Sequence, residues 1–339
     1  MTNQRTNNDL DLLLGRITSA ASPFRETLQQ IHQKYAPRGE GRVADYIPEL
    51  AKASPDWFGI AVATTSGQSF EVGDSRQLFT IQSISKPFVY GLALEDHGRE
   101  EVLKRVGVEP TGEAFNAIVL DEKSNRPFNP MVNAGAIVAA DLIGGKDFAE
   151  RIGRMLSMFA AHTGRDMYVD NSVFLSERAT GHRNRAIGHL MLNFRMVSER
   201  IEDSLELYFQ QCAVLVHAHD LAMMGATLAN RGVNPLTGRR ALQAEYVKDV
   251  LSIMLSCGMY DYAGEWAYRV GVPAKSGVGG GIVAVIPGRA GIGIFSPPLD
   301  AKGNSLRGVK VCQELSERFG LHAFECAFDG QSLAEQIGT

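Results

Sequence analysis

The sequence predicts an α+β fold in which an antiparallel sheet, flanked by helices, holds an inserted all-helical domain. Three observations predict it. Strand-forming runs occur near both ends of the chain, the long middle carries helical spacing, and tight hairpins rather than crossovers link the strands. The composition is globular, with 45% hydrophobic and 21% charged residues in a chain of 339, which excludes wholesale disorder.

Taken in order, residues 1–24 are polar and read as a lead-in. From Pro23, a residue suited to a first helical turn, Phe24, Leu28 and Ile31 recur at helical spacing as far as Tyr35. The run from Trp57 to Thr65, the Ser66-Gly67 turn and the run from Ser69 to Gly73 predict a β-hairpin. Phe79-Thr80-Ile81 then leads into Gln82-Ser83-Ile84-Ser85-Lys86-Pro87-Phe88 and an apolar helix reaching about Leu94. Helical periodicity dominates the middle, clearest over Phe148 to His162 and Ile201 to Ala229. Strands are expected again at Arg269 to Lys275, Ile282 to Pro287 and Ile292 to Phe295, the last two joined by the turn Pro287-Gly288-Arg289. A closing helix runs from about Ser305 to Phe319 and stops at Gly320. The implied organisation is one unit: a discontinuous sheet core over 25–95 and 240–330, with a helical domain over 96–239.

Charge narrows the partners. With 34 Lys+Arg against 38 Asp+Glu the net charge is −4, so no basic surplus favours nucleic acid or a membrane surface. Asp9 and Asp11 interrupt the only N-terminal leucine cluster, and Pro287 and Arg289 interrupt the longest apolar stretch. Neither an export signal nor a membrane span is expected, and the chain reads as cytoplasmic. Cys212, Cys257, Cys312 and Cys326 form no CxxC pair and are expected to be reduced core fillers.

Two short motifs carry chemistry. Ser83-Ile84-Ser85-Lys86 places a hydroxyl and an amine on one helical face, so that an unprotonated lysine can take the serine proton. Burial against the apolar run after Lys86 would lower the amine's pKa as that role requires. Lys275-Ser276-Gly277, in a strand context, follows S-x-x-K in the order used by serine penicillin-recognising enzymes, where such a strand lines the site and supplies oxyanion-hole N–H groups. Each motif alone also has a bland reading, a capping serine or a glycine-rich turn. No S-x-N or Y-x-N occurs, which together with the missing export signal argues against a β-lactamase or transpeptidase. His217-Ala218-His219-Asp220 invites a metal reading, but i,i+2 residues diverge on a helix and no third ligand cluster is evident. No metal or other cofactor is expected.

A wider set of segments resembles the serine-dependent glutaminases of the β-lactamase/transpeptidase-like fold. The resemblance runs from about Arg42 to Phe295 and rests on Val43-Ala-Asp-Tyr-Ile-Pro-Glu-Leu, Gln82-Ser-Ile-Ser-Lys-Pro, Glu109-Pro-Thr-Gly and Asn129-Pro-Met-Val-Asn-Ala-Gly-Ala-Ile. It continues through Ser176-Glu-Arg, Arg183-Asn-Arg-Ala, Tyr208-Phe-Gln-Gln-Cys, Met259-Tyr-Asp-Tyr-Ala-Gly and Pro273-Ala-Lys-Ser-Gly-Val-Gly-Gly-Gly. Gly279 departs mildly from the family, where serine or alanine is frequent, and is expected to tune loop flexibility rather than chemistry.

The resemblance implies that Ser83 attacks the side-chain amide of L-glutamine, that Lys86 activates it, and that a glutamyl-enzyme releases ammonia and then glutamate. It places substrate contacts on Tyr46, Ser83, Asn133, Glu177, Asn184, Tyr208, Tyr260 and the backbone of Val278, with Ser83 and Val278 forming the oxyanion hole. Glu177 suits an α-ammonium, and Asn and Tyr donors suit an α-carboxylate. Tyr260 or Tyr208 is able to relay a proton, Tyr260 being preferred. Plain structural roles stay open for each: a turn aromatic at Tyr46, a helix cap at Asn133, a solvated ion-pair face at Glu177 and Asn184, core packing at Tyr208 and Tyr260. Homo-oligomers, a dimer or tetramer, and modulation by small anions such as phosphate are further implications. The rivals are a serine amidase or esterase acting on another small amide, and a catalytically silent amino-acid sensor.

Overall fold

A computed structural model of the chain describes residues 23–37, 39–112 and 117–325; Cys326 and most of the expected lead-in lie outside them. The first helix, α1, spans Pro23–Tyr35 and buries Phe24, Leu28, Ile31 and Tyr35, one stripe of an amphipathic helix. Strands β1 (Gly59–Thr64) and β2 (Ser69–Gly73) form the first hairpin. Strands β5 (Ala274–Gly277), β6 (Gly281–Ile286) and β7 (Ala290–Phe295) complete a five-stranded sheet of order β2-β1-β7-β6-β5, antiparallel throughout. A separate ladder of two-residue strands pairs β3 (Phe79–Thr80) with β4 (Leu215–Val216). The chain thus shows the mixed helix and antiparallel-sheet fold expected of it.

The helices after β3 are α2 (Lys86–Arg105), α3 (Asn133–Asp141), α4 (Phe148–Thr163), α5 (Asn171–Thr180), α6 (His182–Asn193) and α7 (Ile201–Cys212). They are followed by α8 (Ala218–Ala229), α9 (Ala244–Cys257), α10 (Ala263–Arg269) and α11 (Leu306–Phe319). Side-chain alternation along the strands makes two different faces. Ile60, Val62, Ile282, Ala284, Ile292 and Ile294 join the cluster of α1, α10 and α11. On the other face Ala61 stands beside Gly293 and Val283, and Ala63 beside Gly291 and Val285.

That second face is small-residued because α8 lies directly on it. A Cβ at Gly293 would come 2.0 Å from the Ala218 carbonyl oxygen, and one at Gly291 would come 2.2 Å from both Ala222 O and Ala226 N. Helix α8 is apolar over most of its surface and wholly buried except at His219, with Asp220 in its first turn paired to Arg165, as suits a helix sandwiched between a sheet and other helices.

The structure corrects two expectations. Ile201 to Ala229 is not one helix: α7 ends at Cys212, Leu215–Val216 pairs with β3, and α8 restarts with a capping box. In that box His217 Nδ1 accepts from Asp220 N at 3.1 Å while Asp220 Oδ2 accepts from His217 N at 2.9 Å. Helix α8 packs on the sheet on one side and on α4 on the other. The strand expected from Arg269 is confined to Ala274–Gly277, because α10 runs to Arg269 and Trp266 anchors the connection, its Nε1 donating to Val272 O at 2.8 Å.

Among the described residues no helix is long and apolar enough to cross a membrane. The close seat of α8 gives a direct test by equilibrium unfolding. Gly293→Ala is expected to lose at least ~2 kcal/mol of stability through overpacking. Gly153→Ala, at an exposed α4 position with nothing within 4 Å of the new methyl, is expected to gain ~0.5–1 kcal/mol from helix propensity.

Candidate active site

The serine turn is fixed before any ligand arrives. Ile81 N donates to Val214 O at 2.8 Å, tying the end of β3 to the link that precedes β4. Gln82 then takes φ +52°, a left-handed conformation uncommon outside glycine, and the chain passes through a 3₁₀ turn, Gln82–Ser85, straight into α2. Ser85 Oγ donates to Gln82 O at 2.7 Å and accepts from Gln211 Nε2 of α7 at 3.1 Å, so the turn is held from inside and from outside.

Lys86, the first residue of α2, is fully buried. Its Nζ donates to Met131 O at 3.0 Å and to Asn133 Oδ1 at 2.8 Å. Burial lowers its pKa to about 8, with Cys212 and Glu177 pulling the other way. An unprotonated amine has two N–H bonds and one lone pair. With both N–H bonds spent on Met131 and Asn133, the lone pair is left to receive a proton. Asn133 opens α3 without capping it; its Nδ2 donates instead to Asn184 Oδ1 at 3.0 Å, turning the Asn184 amide N–H groups away from Asn133.

Ser83, Tyr46, Asn133, Glu177, Asn184 and Tyr208 line one small pocket of about 120 Å³, well under the ~300–1,000 Å³ of sites for drug-sized ligands. Glu177 is 7% exposed, and burial raises its carboxyl to about 7, while a hydrogen bond from Gln82 and the Lys86 charge oppose the rise. It is therefore no solvated ion-pair face; the neighbouring Arg178 turns away to Glu206 at 2.7 Å. Desolvation, then Cys212 and Glu177, pushes the buried Tyr208 phenol well up. Tyr46 is 53% exposed at the pocket rim, yet its hydroxyl end is crowded enough that desolvation, and then Glu177, raises its pKa well above the ordinary value.

Tyr260 approaches Ser83 from another side. Its hydroxyl hydrogen-bonds with the Ser83 side chain and the Val278 backbone N–H, and donates to Ser276 O at 3.1 Å. Burial raises its pKa strongly. The strand motif behaves differently from expectation. Lys275, Ser276 and Gly277 are buried and none of them lines the pocket. The Lys275 and Ser276 side chains are buried, and the segment reaches the site through the Ser276 carbonyl and the N–H of Val278 just after β5. Gly280 takes φ +95° and a Cβ there would meet Pro297 Cα at 2.5 Å, whereas a Cβ at Gly279 would meet Thr80 O at 2.9 Å. Gly279 thus serves close approach to β3.

Sequence reasoning missed three contributors. Gln82, beside the serine, was legible as part of its motif; the Met131 carbonyl carries no side-chain signal; Cys212 looked like core. The His217–His219 pair has other work: His217 caps α8, and His219 Nδ1 lies 3.0 Å from Glu71 Oε1. Among the described residues no group of three or more His, Cys, Asp or Glu could hold a metal ion. A second hollow, of about 520 Å³, lies beyond Tyr260 and Met131, is mostly apolar, and does not include Ser83.

Residues 41–324 match the model of the Glutaminase family. The chain is 67% identical over 305 residues to a glutaminase of Microcystis aeruginosa, covering 90% of each, and 62% identical over 326 residues to one of Nostoc, covering 96% of each. Among solved structures it superposes with TM-score 0.86 on the probable glutaminase ybaS, at 40% identity over 88% of this chain and 97% of that one. Mglu in its tris and glutamate form also gives 0.86, at 44% identity over 92% of this chain and 69% of that one.

A buried carboxyl with a raised pKa makes the folded state hold a proton that the unfolded chain has already released, so stability falls as pH rises from the unfolded value towards about 7. Glu177→Gln is therefore expected to raise the unfolding free energy at pH 8 by ~1–3 kcal/mol, with the gain vanishing below about pH 4. Denaturant titrations at pH 4 and pH 8 check both halves.

Proposed function

The chain belongs to the glutaminase family and hydrolyses L-glutamine to L-glutamate, and we propose that it does so through a covalent glutamyl-serine intermediate on Ser83. The observation that carries this reading is Lys86: a fully buried amine one turn after a pocket-lining serine, with its N–H bonds already directed at Met131 and Asn133.

Lys86 takes the Ser83 proton as Oγ bonds to the side-chain amide carbon of glutamine. The backbone N–H groups of Ser83 and Val278 stabilise the oxyanion. Tyr260 passes a proton to the amide nitrogen, the C–N bond breaks, and ammonia leaves. Water then attacks the ester carbon, gives its proton back through the same groups, and the C–O bond to Ser83 breaks to free glutamate. Glu177 receives the α-ammonium, which restores its ionised form. Asn184, Asn133, Tyr46 and Tyr208 hold the α-carboxylate end. We carry forward as proposals that the enzyme works in the cytoplasm as a homo-oligomer, a dimer or tetramer, without nucleic-acid or membrane partners; light scattering on the purified chain tests the assembly.

Ammonia and glutamate release from L-glutamine tests the chemistry. Ser83→Ala is expected to lower kcat at least ~1,000-fold, as loss of a nucleophile does, and asparagine is expected to react far more slowly. Undiminished turnover in Ser83→Ala overturns the mechanism, and equal turnover of unrelated small amides favours the wider amidase reading. Because Lys86 accepts a proton only when unprotonated, kcat/KM is expected to rise with pH and level off near about 8. A profile with no inflection between pH 7 and 9 would remove Lys86 from the base's role.

A further inference from the structure

Lys275 is fully buried, is not among the residues that line the pocket, and has no part in the steps above. A lysine amine is costly to take out of water, so its placement calls for a reason. Its Nζ donates to Gly258 O at 2.9 Å and to Ser276 O at 2.6 Å. The same atom lies 4.1 Å from the centroid of the Tyr260 ring, inside the range of a cation–π contact. The Tyr260 hydroxyl donates to that same Ser276 carbonyl at 3.1 Å.

Tyr260 needs such support. It stands at φ +56°, a conformation that costs a bulky residue energy and survives only where the surroundings impose it. Lys275 grips the tyrosine in three places. It binds the backbone two residues before it, covers the face of its ring, and shares the acceptor that orients its hydroxyl.

We infer that Lys275 is a positioning residue for Tyr260: its buried amine clamps the Gly258–Tyr260 segment and the phenol ring onto β5, so that the hydroxyl stays between Ser83 and the Val278 N–H. The inference rests on Tyr260 being the proton relay. It gives the lysine of the Lys-Ser-Gly motif a task that does not involve touching the substrate.

A double-mutant cycle on the full chain tests it, with native protein, Lys275→Met, Tyr260→Phe and the double variant compared on L-glutamine. Lys275→Met is expected to lower kcat at least tenfold with KM changed less than about twofold, and to cost less than about twofold more in the Tyr260→Phe background, since coupled residues are not additive. Circular dichroism and thermal unfolding establish that each variant folds. Should Lys275→Met not fold, the same cycle is run with Lys275→Gln, whose shorter side chain keeps N–H donors but withdraws them from the Tyr260 ring. Equal losses in the two backgrounds, a change confined to KM, or no loss beside a slow Tyr260→Phe overturns the role given to Lys275 alone. Full activity in Tyr260→Phe overturns the relay reading itself.

Discussion

Everything around the site depends on keeping one amine dry. Removing a lysine from water disfavours its charged form, and Lys86 is held out of water by the apolar body of α2 and by the start of α3. The carbonyl of Met131 and the amide of Asn133 satisfy the N–H bonds that burial would otherwise leave orphaned. Without the burial the amine would be an ordinary ammonium with no proton-accepting capacity near neutrality; without the two acceptors the burial would cost far more.

The same desolvation sets the character of the empty pocket. Glu177, Tyr208 and Cys212 are pushed towards their neutral forms by burial in one small space. A zwitterionic ligand brings charges of its own into that space, so the pocket's polar groups are matched to a partner they lack when empty. The protein accepts a local loss of stability for this arrangement, and the strained residues Gln82 and Tyr260 belong to the same pattern of strain gathered at a functional site.

Much of this was legible in the sequence, and for physical reasons. Hairpins announce themselves through local turns, and the stripe Phe24, Leu28, Ile31, Tyr35 through its period. The serine and lysine at i and i+3 are near each other by construction. The split of Ile201 to Ala229 was hidden, because Leu215–Val216 becomes a strand only through pairing with Phe79–Thr80, more than a hundred residues away. The seat of α8 was hidden too: Ala61, Ala63, Gly291 and Gly293 read as weak strand formers, and their smallness makes sense only once a helix backbone lies on them. At the site, side chains could be named from their chemistry and family resemblance, whereas the Met131 carbonyl and the direction in which Lys275 points are facts of packing.

The segment that carries Tyr260 has a consequence for solubility. Strand β5 is an edge of the five-stranded sheet, and open edges invite pairing with other chains. Here the Ser276 N–H is taken by Gly258 O at 3.2 Å, and the Ser276 carbonyl by Lys275 and Tyr260. The stretch that delivers the phenol to the serine is therefore also the cover of an exposed β edge. A chain in which that stretch came loose would lose its chemistry and gain a sticky border in the same event.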